Sequence, residues 1–275
     1  MIKYYIWDGS KEELQEHNSL LNFVFKNRDR APEYLYWKHL ENPLGKSIIT
    51  YAKHDGKIIG ARAFQPTLYR DKYFMQPCDT VTHPDFQRMG VFSLLTKLAL
   101  DQIGSNVAVM NFPNNLSLPA CLNAGWEFHR RKKPNIGLNP YDSTVFNREL
   151  KIPEVKLQLS KLKNKVWKEY CEWRFISKPA AEYRYFFINK NLVIVNEYRM
   201  SYCIKISNDS CSAQIKKTIP FLCYSYNSEQ KFNFIERLIH RLTKRGTHMV
   251  LLRSQDLKNI SGRESIELSG LMDTF

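Results

Sequence analysis

The stretch Asp79-Thr-Val-Thr-His-Pro-Asp-Phe-Gln-Arg-Met-Gly-Val-Phe92 decides the fold of this chain. It predicts a short extended run, a compact turn at residues 87–90, and a helix with an apolar face. A turn that opens a helix presents unpaired backbone N–H groups beside the positive end of the helix dipole. Gly90 allows close approach to the backbone, and Arg88 adds a cation. These features favour a phosphate site, and an ordinary strand-to-helix connection is the alternative.

The motif Gln87-Arg-Met-Gly90 resembles the pyrophosphate loop of the GNAT superfamily of acyl-CoA N-acyltransferases, and Thr82-His-Pro resembles the strand ending before that loop. The resemblance implies that acetyl-CoA or another acyl-CoA is the co-substrate. Its pyrophosphate would be bound by residues of the loop and the helix start: Gln87, Arg88, Met89, Gly90, Val91 and Phe92. The family usually has Gly or Ala at the last of these positions, so the aromatic ring must point away from the phosphates.

The elements around the loop follow the order typical of the same family. Asp55-Gly56 between two apolar runs predicts a hairpin, and residues 73–82 predict a third strand. Beyond the loop helix, which Gly104 suits as a stop, the sequence predicts a strand at 107–112, a short helix at 117–123 and a strand from Trp126.

A second copy of this pattern is suggested by two short motifs. Tyr34, Trp37, Lys38 and Pro43 recur with the same spacing as Tyr170, Trp173, Arg174 and Pro179. Chance similarity of two aromatic helix starts is the alternative. We predict an α/β (α+β) fold of tandem GNAT-like domains, each a mixed, mainly antiparallel sheet flanked by helices.

The two domains are expected at residues 1–150, which would bind acyl-CoA and carry catalysis, and at 151–275, a degenerate copy. Residues 132–165 contain three prolines and little periodicity, so we expect a linker or crossover there. A helix from Ser228 and a strand at 248–252 are expected in the second copy. Residues 224–230 replace the loop and lack its glycine and arginine, and Glu229 would repel phosphate. The second domain should therefore complete the acceptor cleft or brace the first.

The resemblance to the GNAT superfamily, rather than the spacing of residues, implies further contacts with the acyl-CoA. In that family the pantetheine arm lies along the fourth strand, which implies backbone contacts from Val81 and Thr82. Asn114 occupies a position that commonly contacts the pantetheine or CoA, although Asn also suits turns. Cys121 stands where many members have a tyrosine general acid. A thiol can protonate a thiolate of similar pKa, and a small packing cysteine is the alternative.

A general base is needed because an alkyl ammonium is mostly protonated at neutral pH. Asp79, Val81 and His83 share one face of a strand by period-two alternation. His83 has a suitable ordinary pKa, and a structural His-Pro turn is its alternative role. Asp79 is the second candidate, with a hydrogen-bonded strand residue as its alternative role.

Composition limits the remaining possibilities. The formal net charge of +14 is compatible with an anionic ligand, but no nucleic-acid module is recognisable. Six cysteines are scattered without metal spacing, which predicts reduced thiols, no metal site and a cytoplasmic location. No signal peptide is expected, and no apolar run approaches the ~20 residues of a membrane span.

Three functions fit the sequence. The leading one is transfer of an acetyl or other short acyl group to a primary amine of a small molecule. The resemblance extends to bacterial GNAT proteins associated with surface polysaccharides, which suggests an amino sugar, including a nucleotide-linked one. The alternatives are a non-catalytic GNAT-fold CoA- or ligand-binding protein, and a FemABX-like transferase that uses aminoacyl-tRNA.

Overall fold

The computed structural model describes residues 1–26, 30–69, 72–111, 113, 117–132, 135–138, 148–180, 183–188, 191–196, 201–206, 211–216, 222–225 and 247–252. Its helices are α1 (Lys11–Val24), α2 (Pro32–His39), α3 (Val91–Ile103), α4 (Leu118–Asn123), α5 (Ile152–Leu159) and α6 (Lys165–Phe175). A short 3-10 helix spans Pro84–Phe86. In the described ranges no helix is long and apolar enough to cross a membrane.

Two sheets contain the strands. The first has seven strands in the order β1 (Lys3–Ile6), β2 (Ile48–His54), β3 (Lys57–Tyr69), β4 (Lys72–Thr82), β5 (Val109–Asn111), β13 (Thr247–Leu252) and β6 (Glu127–Lys132). The second has six in the order β7 (Asn135–Leu138), β12 (Leu222–Ser225), β11 (Cys211–Lys216), β10 (Ser201–Ile206), β9 (Asn191–Asn196) and β8 (Tyr183–Ile188). All described pairs are antiparallel except β4 with β5.

Local signals account for the ends of these elements. The β2–β3 hairpin turns through Asp55 and Gly56, whose φ angles are 49° and 79°, as a two-residue primed turn requires. Ser10 caps α1 by accepting a hydrogen bond from the N–H of Glu13. Gly90 opens α3 at φ 78°, and Gly104 ends it at φ 80°. These features agree with the sequence prediction.

The first sheet is covered on both faces. Leu14, Leu21 and Leu35 of α1 and α2 pack on one face, whereas Leu95 of α3 packs on the other. The approach of α3 is close, since a Cβ on Gly60 of β3 would lie 2.6 Å from Val91 Cγ1. The sheet is thus a buried central layer whose two faces meet different helices.

The two sheets exchange strands, in contrast to the two separate domains expected from the sequence. β13, from the C-terminal half, lies between β5 and β6 of the first sheet. β7, from the N-terminal half, pairs with β12 in the second. The region 132–165, expected as a linker or crossover, contains β7, which pairs in the second sheet, and α5, because a proline at a helix start does not prevent a helix. A domain boundary at residue 150 stays a prediction, and the helix expected from Ser228 lies outside the described residues.

The two halves meet at the tryptophans of the repeated motif. Trp37 and Trp173 stack with ring centroids 4.6 Å apart and an interplanar angle of 18°. Each indole Nε1–H donates to the other residue's carbonyl oxygen at 3.0 Å. Both side chains are buried in one cluster with Leu68, Tyr170 and others. Matched positions make reciprocal contacts, which is the local symmetry expected of an internal repeat.

This symmetry predicts matched stability losses. Trp37→Phe and Trp173→Phe should each lower the free energy of unfolding by about 1–3 kcal/mol, since a buried carbonyl loses its donor while the stacked ring is kept. Urea unfolding followed by circular dichroism measures both. A loss confined to one variant would contradict the reciprocal arrangement.

Candidate functional site

The fourth and fifth strands separate early. The N–H of Met75 donates to the carbonyl of Ala108 at 3.0 Å, and Met75 faces Val109 in the register. Beyond this point no pair between β4 and β5 is recorded in the part of the chain that the structure describes, although β4 continues to Thr82. Among the described residues, β4 and β5 therefore diverge after Met75. We call the space beside residues 76–82 the strand gap.

The loop at residues 87–90 follows β4 and the 3-10 helix. Arg88 has φ 64° and Gly90 has φ 78°, both in the left-handed region. All four loop residues are exposed. The N-cap residue of α3 is Gly90, which has no side chain to accept from the N–H groups of the first turn. The loop therefore offers backbone donors and the Arg88 cation beside the end of β4.

The first two helical residues face the sheet. Val91 is buried against Gly60 and Ala52. The Phe92 ring lies over the Arg62 guanidinium, with 4.2 Å between Cζ and the ring centroid. The ring is therefore directed to the sheet side of α3, which agrees with the requirement that it leave the loop donors uncovered.

A bulge interrupts β4 beside the strand gap. Ala61 pairs with Val81, but Ala63 pairs with Cys78, so two residues of β4 oppose one of β3. Asp79, in the bulge, has φ 41°. Beyond the bulge the N–H of His83 donates to Ile59 O at 2.8 Å. Because backbone donors alternate along a strand, the N–H of Thr82 points into the strand gap and that of Val81 towards β3.

The Asp79 carboxylate is held by three side chains on the α1–α2 side. Arg30 Nη1 lies 2.8 Å from Oδ1, Lys38 Nζ 2.8 Å from Oδ2, and His39 Nε2 3.3 Å from Oδ2. His17 Nε2 donates to the Asp79 carbonyl at 2.9 Å. Burial alone would raise the pKa of Asp79, but Lys38, His39 and Arg30 outweigh it and hold that pKa well below its usual range.

This geometry argues against Asp79 as the general base. A carboxylate with so low a pKa, enclosed by cations, is a poor proton acceptor at neutral pH. The alternative role, a bonded strand residue, fits it better. Asp79 also lies within 4.8 Å of the donor atoms of His39 and Cys78. Lys38 and Arg30 already supply the positive charge that a metal ion would bring there, so we assign no metal.

His83 lies where β4 ends. Its ring stacks on Phe23 of α1 with centroids 5.2 Å apart, and its Nδ1 accepts from the N–H of Asp85 at 3.3 Å. Asp79, Val81 and His83 all lie on the α1–α2 side, as the alternation predicts. The His83 side chain is partly exposed. His83 stays the candidate base.

Cys121 lies on α4, on the α3 face of the sheet. The thiol is buried and accepts a hydrogen bond from Asn111 Nδ2 at 3.4 Å. Burial raises the pKa of Cys121, so the thiol is protonated at neutral pH. This protonation state is the one that a general acid requires. Asn114 lies outside the described residues, and its role stays a prediction.

Several residues of this region were missed from the sequence. From the sequence, Lys38 was identified only as part of the repeated motif. No sequence pattern indicated a role for His17, Arg30, His39 or Asn111. His17, Arg30, Lys38 and His39 are all distant along the chain from Asp79, which they contact, whereas Asn111 lies ten residues before Cys121. A lone histidine or lysine on a helix carries no sign of such a partner.

Comparison with known proteins identifies the fold. No family model and no curated protein matches the chain. Among solved structures, a putative acetyltransferase from Pyrococcus horikoshii is similar with a TM-score of 0.53 and 11% identity, covering 90% of this chain and 89% of that one. A tandem GNAT protein from the clavulanic acid biosynthesis pathway is similar with a TM-score of 0.51 and 10% identity, covering 92% and 98%. The chain therefore has the tandem GNAT fold.

Burial of His17 predicts a pH-dependent stability. Burial lowers the pKa of His17 from 6.5 to about 4, so the folded protein keeps this histidine neutral where the unfolded chain protonates it. The contribution is complete above pH 6.5 and is lost as the pH falls towards 4, by about 3 kcal/mol at most. Urea unfolding across this range should show a steeper loss for the wild type than for His17→Gln, which keeps a donor for the Asp79 carbonyl. Parallel pH profiles would contradict the assignment.

Proposed function

With the tandem GNAT fold as the premise, we propose that this protein transfers an acyl group from acyl-CoA to the primary amine of a small molecule. One observation supports the proposal above the others. The strand gap, the exposed loop at residues 87–90 and the uncapped start of α3 adjoin one another at the end of β4. A donor with a pyrophosphate and a long amide-containing arm matches this combination of exposed loop donors and a strand that diverges from its neighbour.

The donor would be bound mainly by backbone groups. Met89, Gly90 and the first turn of α3 would offer N–H groups to the pyrophosphate, with Arg88 adding charge. The Gln87 N–H already donates to Pro84 O at 3.2 Å, so Gln87 would take part through its side-chain amide. The pantetheine arm would pair with the free edge of β4 near Thr82. Asn114 would extend these contacts from the strand that follows. Acetyl-CoA and other short acyl-CoA molecules share these recognition elements.

Acyl transfer then needs one proton acceptor and one proton donor. The amine nitrogen attacks the thioester carbon, the C–N bond forms, and the C–S bond breaks with its electron pair on sulfur. His83 would take the proton released by the amine, directly or through water. Cys121 would protonate the departing thiolate and recover its proton from solvent. An N–H from β4 facing the strand gap would stabilise the charge that develops on the carbonyl oxygen.

We propose an anionic small molecule with a primary amine as the acceptor. The basic chain favours an anionic acceptor, and a nucleotide-linked amino sugar combines phosphate with a primary amine. An acyl-CoA donor places the reaction in the cytoplasm. The C-terminal half would support the site through β13, which pairs with β5.

A non-catalytic CoA-binding protein is the second candidate. The observation that favours it is the engagement of Asp79 in ion pairs, which leaves His83 as the base candidate among the predicted residues. A thiol-release assay with acetyl-CoA and a panel of amines separates the two functions. Turnover eliminates the binding protein, and CoA binding without turnover on any amine favours it.

Substitution of Gly90 should abolish donor binding. Gly90→Val places a β-branched side chain at φ 78° among the loop donors, which costs about 1–2 kcal/mol in backbone strain and obstructs the phosphates. Isothermal titration calorimetry with CoA should show micromolar-range binding to the wild type and at least a roughly hundredfold loss in the variant. Gly56→Val is the matched control, because Gly56 has φ 79° and equally open surroundings in a hairpin turn. Equal affinity of all three proteins would refute the loop as the CoA site.

Removal of the Cys121 thiol should slow turnover and spare binding. Cys121→Ala deletes the proposed proton donor, and we expect kcat to fall roughly tenfold to a hundredfold with little change in KM for acyl-CoA. Steady-state thiol release measures both constants. An unchanged kcat would assign Cys121 to packing alone.

A further inference from the structure

Arg62 is a buried cation on the α3 face of the first sheet. It lies on β3 at the position opposed by the two bulge residues of β4. Its guanidinium carbon is 4.2 Å from the Phe92 ring centroid and 5.3 Å from that of Phe64. The residue is 2% exposed. Aromatic faces therefore shield a full positive charge beside the strand gap.

This charge has no anionic partner among the described residues. No ion pair and no side-chain hydrogen bond of Arg62 is recorded there, and its buried Nε has no acceptor. Burial lowers the pKa of Arg62 to about 10, so the group remains protonated at neutral pH. Cation–π contact offsets only part of the free energy needed to bury a charge. A partner supplied by a ligand would resolve this arrangement.

The position of Arg62 along β3 indicates which part of the acyl-CoA donor would contact its guanidinium. Gly60 pairs with Thr82 at the loop end of β4, and Arg62 lies two residues further from the loop, about 7 Å along the strand. The pyrophosphate would be at the loop, so the thioester end of the arm lies level with the bulge. Arg62 is therefore placed near the acyl group rather than near the phosphates.

We propose that Arg62 binds a carboxylate at the end of the acyl group, so that the preferred donor is the CoA half-thioester of a short dicarboxylic acid, such as succinyl-CoA. The inference rests on the proposed acyl transfer and specifies its donor. The carboxylate stays intact during transfer, since only the C–S bond breaks and only the C–N bond forms. A carboxylate can receive two parallel N–H hydrogen bonds from a guanidinium.

The positions of Arg62 and His83 on opposite faces of the sheet favour the acyl donor, rather than the amine acceptor, as the source of this carboxylate. Arg62 and Phe92 lie on the face covered by α3, the helix that carries the donor loop. The candidate base His83 stacks on α1 and so lies towards the opposite face. An amine that reaches His83 therefore approaches from the side away from Arg62.

Calorimetric titration without any acceptor tests this assignment. Succinyl-CoA and butyryl-CoA have acyl chains of equal carbon number and differ in a terminal carboxylate or methyl group. We expect the wild type to bind succinyl-CoA roughly tenfold or more tightly than butyryl-CoA. Arg62→Met should lose this preference without losing butyryl-CoA binding, and Arg62→Lys should retain part of it. Arg184→Met is the control, because Arg184 also lies over a phenyl ring, in the second sheet.

Thermal melting adds a second readout. Removal of an unpaired buried charge should leave the melting temperature of ligand-free Arg62→Met equal to or above that of the wild type. Equal affinity of the wild type for both thioesters overturns the inference and leaves the proposed acyl transfer standing. A preference for succinyl-CoA over butyryl-CoA that persists in Arg62→Met also overturns the inference about Arg62. Failure of every CoA derivative to bind overturns both the proposed acyl transfer and the role of Arg62. If Arg62→Met does not fold, the comparison of the wild type with Arg62→Lys tests whether the preference for succinyl-CoA depends on Arg62.

Discussion

The ion-pair cluster around Asp79 is the constraint on which the site depends. Asp79 occupies a left-handed backbone conformation that is unfavourable for an L-residue, and it does so inside a strand. Arg30, Lys38 and His39 hold its carboxylate, while His17 holds its carbonyl. These contacts fix the bulge in β4 and, with it, the direction of the backbone donors beyond it. Helices α1 and α2 therefore determine the shape of the strand gap, and they need not contact any donor themselves.

The two faces of the first sheet differ in how their buried charges are neutralised. On the α1–α2 face, charges neutralise one another within the protein, and the candidate base lies at the rim. On the α3 face, Arg62 is enclosed by aromatic rings without a recorded anionic partner in the described part of the chain. Low local polarity strengthens the attraction of such a cation for an anion. The ring of Phe92 therefore has a physical role in screening Arg62 from water.

Local chemistry made much of this fold predictable. Asp55-Gly56, Gly90 and Gly104 each require a positive φ, so the sequence alone located the hairpin and the limits of α3. The Asp79 cluster was not predictable, because its members come from α1, α2 and the segment between them, and a charged residue does not reveal a distant partner. The strand exchange was equally hidden, since an apolar strand such as β13 has the same sequence pattern in either sheet.

The exchange of β13 also sets an order for synthesis on the ribosome. The first sheet cannot be completed until residues 247–252 leave the exit tunnel, because β13 bridges β5 and β6. Until then β5, the far wall of the strand gap, lacks a neighbour on its outer side. The nascent chain thus carries an open sheet edge while the residues between β5 and β13 are synthesised, a state that favours intermolecular pairing. The far wall of the strand gap therefore gains its outer neighbour only after more than a hundred further residues have been added to the chain.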